Sequence, residues 1–244
     1  MEEIREKIKS FFPNIVLDEI KHKYYIKEEK VKISVSGIIK NFVEHVDYGA
    51  IAKKKDKKEG LPKGTYQKLW DNKAEKACAK GNDAHIFGEN YAFDRSLVPQ
   101  NGFQESVVNF WKDLPEHIVP VFTELMMYSL KESKLCQDVF AGTADILLYN
   151  TKTGTFIIAD YKTNEKLFKN FNGKKLIGIF KDLLENNFNK YQIQFSTYQL
   201  LFEQTGYKAS SRKLVWLFKD GTYKIFDTDD YTSRIKAYLK NKRL

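Results

Sequence analysis

Between residues 65 and 91, Leu69, Trp70, Ala74, Ala77, Cys78, His85 and Glu89 recur among charged positions. That spacing predicts a long helix with one less polar face. A shorter helix is expected over 105–114. The period then changes: residues 118–130, 139–149 and 155–162 are rich in β-branched and apolar side chains. They read as strands, with the turn composition Asn150-Thr151-Lys152-Thr153-Gly154 between the last two. Helical patterns return at 176–184 and 191–203, the second with Tyr191, Phe195 and Phe202 as core positions. Residues 213–218 and 223–226, joined by Asp220-Gly221, predict a hairpin, and a terminal helix is expected over 229–240. Near the start, 22–27 and 31–35 read as a small hairpin around Glu28-Glu29-Lys30, followed by a helix with Ile38, Ile39, Phe42 and Val46 on one face and Ser36 as its cap.

Helices, then strands, then helix and strand again predict an α/β fold: a central mixed β-sheet flanked by helices. No repeat or linker divides the 244 residues, so a single domain is expected over 1–244. Its parts are an N-terminal hairpin, a helical region (about 36–115), a core at about 118–226 and the C-terminal helix (about 229–240).

Composition narrows the chemistry. Forty-one Lys and Arg against 32 Asp and Glu leave a net charge of +9, which suits a polyanionic partner such as nucleic acid. The run Lys53-Lys54-Lys55-Asp56-Lys57-Lys58 reads first as a solvated helix end or loop and second as a phosphate-contacting patch. Cys78 and Cys136 are the only cysteines, too few for a disulfide framework, a four-cysteine zinc site or an iron–sulfur cluster. No apolar run is long enough to span a membrane. The start, Met1-Glu2-Glu3-Ile4-Arg5, lacks the apolar stretch of a secretory signal, so a cytoplasmic location is expected.

The strongest chemical signal is Gly142-Thr143-Ala144-Asp145 on one strand and Asp160-Tyr161-Lys162-Thr163 on the next. If 151–154 form the loop, Asn150 pairs with Thr155, and the same register sets Asp145 opposite Asp160 and Thr143 opposite Lys162. Two carboxylates so opposed repel each other and call for a cation, a shared proton or a Lys partner. A hard divalent ion, Mg²⁺ or Mn²⁺, answers this best, because it prefers carboxylate oxygens and keeps open positions for water and phosphate. Lys162, on the same strand face as Asp160, would set an ammonium beside the metal-bound water. An ordinary acidic surface hairpin with an Asp–Lys pair is the plainer alternative.

These motifs resemble the core of the PD-(D/E)XK nucleases, in particular the RecB-like branch. Gly81-Asn82-Asp83-Ala84-His85, with Glu89 one turn on, is similar to that branch's helix-borne histidine. Gln194-Phe195-Ser196-Thr197-Tyr198 is similar to its Gln-x-x-x-Tyr helix. With Ser34-Val35-Ser36, Tyr48-Gly49-Ala50-Ile51-Ala52 and the Trp70 helix, residues 30–207 resemble standalone phage-type exonucleases and the mitochondrial genome maintenance exonuclease.

The resemblance implies a restriction-endonuclease-like core and a metal held by His85, Asp145, Asp160 and the backbone carbonyl of Tyr161. Lys162 would orient or help deprotonate the attacking water. It also implies Gln194, Tyr198, Thr143 and Thr163 as substrate-binding candidates, and DNA with free ends, preferentially single-stranded, as substrate. Replication, repair or recombination would be the setting, with a protein of those processes as a partner and a phage or viral genome as a fitting origin.

Several residues keep a second reading. His85 is either a ligand or a packed helical histidine. Glu89 is a partner of the ligands or a ligand of a second metal. Glu124 belongs to the site or to a solvent-facing edge, and Gln194 and Tyr198 to the site or to the rim of an amphipathic helix. Residues 166–175 interleave bases and aromatics, suiting stacking on unpaired bases or a solvated turn. At the level of activity, the alternatives to an exonuclease are a structure-specific or double-strand endonuclease and a non-catalytic nucleic-acid-binding module.

Overall fold

A computed structural model of the chain describes residues 1–240. Helix α1 (Glu2–Phe11) leads into strands β1 (Ile15–Asp18), β2 (Lys23–Ile26) and β3 (Glu29–Lys30), which form a small antiparallel sheet. The expected N-terminal hairpin is thus a three-stranded sheet, and its tight turn falls one residue earlier. Lys27 and Glu28 both take positive φ between the paired Ile26 and Glu29, the backbone of a two-residue hairpin. Neither is a residue that advertises that conformation.

Residues 31–35 do not complete that hairpin. Strand β4 (Ile33–Ser34) instead joins the main sheet, and helix α2 (Val35–Lys40) follows at once. Its cap is Ser34, whose Oγ accepts from the Gly37 amide at 3.1 Å, rather than Ser36. Helix α3 (Tyr48–Glu59) carries the lysine run on its exposed side. Only Asp56 of that run is buried, accepting from the amides of Gly64 and Tyr66 at the turn into α4 (Thr65–Tyr91). Then come α5 (Gly102–Asp113), β5 (Ile118–Tyr128), β6 (Phe140–Asn150), β7 (Thr155–Lys162), α6 (Asn187–Phe202), β8 (Ala209–Leu217), β9 (Tyr223–Asp227) and α7 (Thr232–Lys240).

Residues 176–184 are not a helix. Gly178 at φ +66° interrupts any helical run, leaving one 3₁₀ turn over Gly178–Phe180 and an isolated bridge between Lys175 and Leu184.

The main sheet has six strands, with β4, β6, β7, β8 and β9 as successive neighbours and β5 paired to β6. It is mixed: β4–β6 and β7–β8 run parallel, the other pairs antiparallel. The chain makes its parallel step from β7 to β8 through α6, as a crossover requires. Alternation along the strands feeds two cores. Phe156, Ile158 and Leu214 pack with Ile8, Ile38, Phe195 and Ile235 on the face covered by α1, α2, α6 and α7. Ala159, Tyr161, Val215 and Leu217 pack with Ala84, Tyr91, Val107 and Phe110 on the face covered by α4 and α5. The fold is therefore α/β, a mixed sheet with helices on both sides. Among the described residues no helix is long and apolar enough to cross a membrane.

Two features of this frame create the site. Strand β6 has one edge taken by β5, because Ala141 pairs with Tyr128 and Leu147 with Phe122. The other edge is shared: β4 holds Phe140 and Ala141, while β7 holds Ile146 to Asn150. Residues 142–145 lie between the two partners, so the sheet opens there. Helix α4, for its part, buries only Ala84, Gly88 and Tyr91. It docks by its last turns and leaves residues 71–80 standing in solvent.

Candidate active site

The β6–β7 ladder has the register expected from its loop, running from Asn150–Thr155 to Ile146–Ala159. It then ends. Asp145 and Asp160 stand just past the last pair, where the strands part, and are not themselves paired. The same parting separates Thr143 from Lys162; Thr143 is buried and shares a 2.9 Å hydrogen bond with the Tyr24 hydroxyl of the N-terminal sheet.

Helix α4 closes over this gap. A Cβ at Gly88 would lie 2.5 Å from Cε2 of Tyr161, so only glycine lets the helix come this close to β7. One turn earlier, His85 reaches the strands. Its Nδ1 lies 2.9 Å from Oδ2 of Asp145, and its Nε2 lies 2.9 Å from the Tyr161 carbonyl oxygen. A carbonyl can only accept, so Nε2 keeps a proton, and Nδ1 is the nitrogen that can offer a lone pair to a metal.

His85, Asp145 and Asp160 each present a ligand atom, all within 4.8 Å of one another. Among the described residues they are the one such group. Asp160 is 1% exposed, and Oδ1 accepts from the Lys162 ammonium in a very short contact. The Lys162 side chain, 13% exposed, is held over the Tyr191 ring at 4.7 Å and within 6.0 Å of the Phe195 ring centre. Tyr191, which the sequence pattern assigns to the core, thus walls the site from α6. Its hydroxyl donates to Oδ1 of Asn164 at 2.7 Å, and Trp216 Nε1 donates to the Asn164 carbonyl at the same distance.

The charges push one another apart in titration. Burial and the Asp145 charge hold the Asp160 carboxyl well above the ordinary carboxylate range. Asp145 is low despite its burial, because the His85 imidazolium and the Lys162 ammonium face it. His85, which burial alone would lower, is raised to about 9 by Asp145. Lys162 is likewise raised, Asp160 and Asp145 outweighing burial. Four groups that would be costly to bury singly are therefore retained as two opposed pairs.

Glu124 sits on β5 between Thr123 and Leu125, whose partners Ile146 and Ala144 flank Asp145. Its φ of +53° is uncommon for a non-glycine residue inside a strand. The residue as a whole is exposed, yet crowding of its carboxyl and the Asp145 charge raise it to about 7. The cause that fits the wet position is the neighbouring carboxylate. Glu89, half-buried on α4, adds to the same field. Neither belongs to the three-residue group.

Gln194 Nε2 donates to the Tyr198 hydroxyl at 2.6 Å. The Tyr198 ring is buried against Gly142, where a Cβ would lie 2.8 Å from Cε1, so α6 supports the strand that carries Asp145. Thr163 follows Lys162 at the strand end, 3.6 Å from a Cβ built on Gly81 of α4. Phe168 and Phe171 of the basic–aromatic segment are exposed.

The donor set suits a hard divalent cation. It has two carboxylates and one imidazole nitrogen, with Asp145 Oδ2 lacking a hydrogen bond of good geometry although it faces His85. Carboxylate oxygens favour Mg²⁺ and Mn²⁺, and a single imidazole is compatible with Mn²⁺ in particular. No protein-family model matches the chain, and no curated protein matches it.

Proposed function

We propose that this chain is a metal-dependent DNA exonuclease with a restriction-endonuclease-like core of the RecB-like PD-(D/E)XK kind. The observation that carries the reading is the convergence of His85, Asp145 and Asp160 on one point, with the Lys162 ammonium beside them. Those three side chains would hold the ion, Mg²⁺ or Mn²⁺; the Tyr161 carbonyl, which the motif resemblance adds as a ligand, accepts from His85 Nε2 and steadies the ring. When bound, such an ion lowers the pKa of a coordinated water and offsets charge on the phosphoryl oxygens.

The protein's own groups do the positioning. Asp160 and the Tyr191 ring fix Lys162 Nζ, which keeps its proton and can orient the attacking water and meet the developing negative charge. Asp145 holds His85 against β7, and α6 braces β6 through Tyr198. In-line attack on phosphorus would expel the 3′-oxygen and leave a 5′-phosphate. The preference for strand ends, and for DNA, rests on the resemblance of the motifs.

Incubating end-labelled single-stranded, double-stranded and circular DNA with Mg²⁺, Mn²⁺ or EDTA tests the proposal. Linear substrate should disappear with either metal and persist in EDTA, while circles survive. Cleaved circles would make it an endonuclease on the same site, and persistence of every substrate would overturn the nuclease reading.

A further inference from the structure

The free-standing half of α4 forms one wall of a groove that runs to Thr163, next to Lys162. On its far side are residues 163–166 and Asn187. This lobe encloses about 640 Å³, and three exposed lysines of α4, Lys73, Lys76 and Lys80, line it at helical spacing, with Lys166 facing them. Beyond Lys80 and Phe103 the groove continues into a second lobe of about 690 Å³ walled by Trp216 and Phe218. The two lobes share Lys80, Phe103 and residues 163–165, so they meet at the strand end that bears the candidate catalytic lysine. The first lobe is cationic, with Glu165 its only acidic lining residue; the second presents Phe103, Trp216 and Phe218, and its Asp83, Glu165 and Asp220 outnumber Lys80 and Lys219, which suits bases rather than phosphates.

We infer that this groove is the path of an unpaired DNA strand, its phosphates on the Lys73–Lys76–Lys80 stripe and its bases against the aromatic lobe. A row of lysines matches a phosphate backbone, and half-buried aromatic side chains match splayed bases, which a duplex does not present. Each lobe is the size of a small-ligand pocket rather than of a channel open to a double helix. The lysine run on α3 and the 166–175 segment, the two places where the sequence alone suggests nucleic-acid contact, contribute only Lys166. The inference uses the nuclease reading to orient the strand toward Lys162, but binding itself needs no metal and no chemistry.

The test is fluorescence anisotropy of a labelled oligothymidine in EDTA, over a series of salt concentrations. The proteins are the wild type, Lys73→Ala/Lys76→Ala/Lys80→Ala, and a control of equal charge change at the opposite end of the sheet, Lys7→Ala/Lys152→Ala/Lys208→Ala. All six lysines are exposed, and thermal melts verify that both variants fold. The slope of log Kobs against log salt should fall in magnitude by about 2 in the α4 variant, at about 0.7 per lost single-strand phosphate contact. It should be nearly unchanged in the control, and an unlabelled duplex should compete poorly. Equal slopes in the two variants, equal competition by duplex, or no binding by the wild type would overturn the groove. If the slopes behave as expected and no DNA is ever cleaved, the groove stands and the nuclease reading falls; if DNA is cleaved and the slopes are unaltered, the nuclease reading stands and the groove falls.

Discussion

Gly88 and Tyr161 touch so closely that a methyl group on the helix would stand 2.5 Å from the ring. This contact sets the distance from α4 to β7, and so the reach of His85 toward Asp145. Gly88→Ala should cost about 1–3 kcal/mol, as overpacking does. It should also reduce cleavage more than the stability loss explains at a temperature where the variant is fully folded. Paired melts and rate measurements check this; full activity in a destabilised variant would mean that the helix position is not critical.

Lys162→Ala removes the ammonium but none of the three ligand side chains. Cleavage should fall by roughly 10²–10³-fold, the range for losing one preorganised donor to developing negative charge, while binding of Mn²⁺ and of DNA survives. Asp160→Ala should abolish cleavage and weaken the metal as well. Wild-type rates in either variant would refute the assignment.

Tyr191 holds that lysine from the side. Tyr191→Phe keeps the ring and should keep nearly all activity. Tyr191→Leu gives up a cation–π contact of about 0.5–2 kcal/mol and should slow turnover by roughly 2- to 30-fold. The split between the two variants in kcat, at unchanged DNA affinity, distinguishes positioning of Lys162 from general packing.

Tyr24 ties the N-terminal sheet to Thr143 on β6. Tyr24→Phe should lower stability by about 1 kcal/mol, the usual worth of such a bond. Chemical denaturation measures it; an unchanged midpoint would show that Thr143 finds another partner.

Much of this site is legible in the chain. The periods locate α4 and the three long strands, and the loop length fixes the β6–β7 register. Two positions, Asp145 and Asp160, follow from that register, although the ladder ends before it reaches them. What escapes the pattern depends on contacts distant in sequence or on backbone without a residue signature. Lys27 and Glu28 turn through positive φ although neither is Gly or Asn. Strand β4 has two residues, too few for any period, and pairs with a segment more than a hundred residues later. Helix α1 offers only a charged, weakly apolar stretch. Tyr191 reads as core because its ring is apolar; only the fold reveals that the surface it packs against is the Lys162 ammonium.

Everything proposed for the chemistry requires that His85, Asp145 and Asp160 together hold one divalent ion. Titrating the protein with Mn²⁺ and following free Mn²⁺ by electron paramagnetic resonance measures that binding without DNA or turnover. One tight site is expected in the wild type, weakened at least about tenfold in each of His85→Ala, Asp145→Asn and Asp160→Asn, since even supporting residues of metal sites cost about that much. Equal Mn²⁺ binding by the wild type and all three folded variants would show that these residues do not form the metal site.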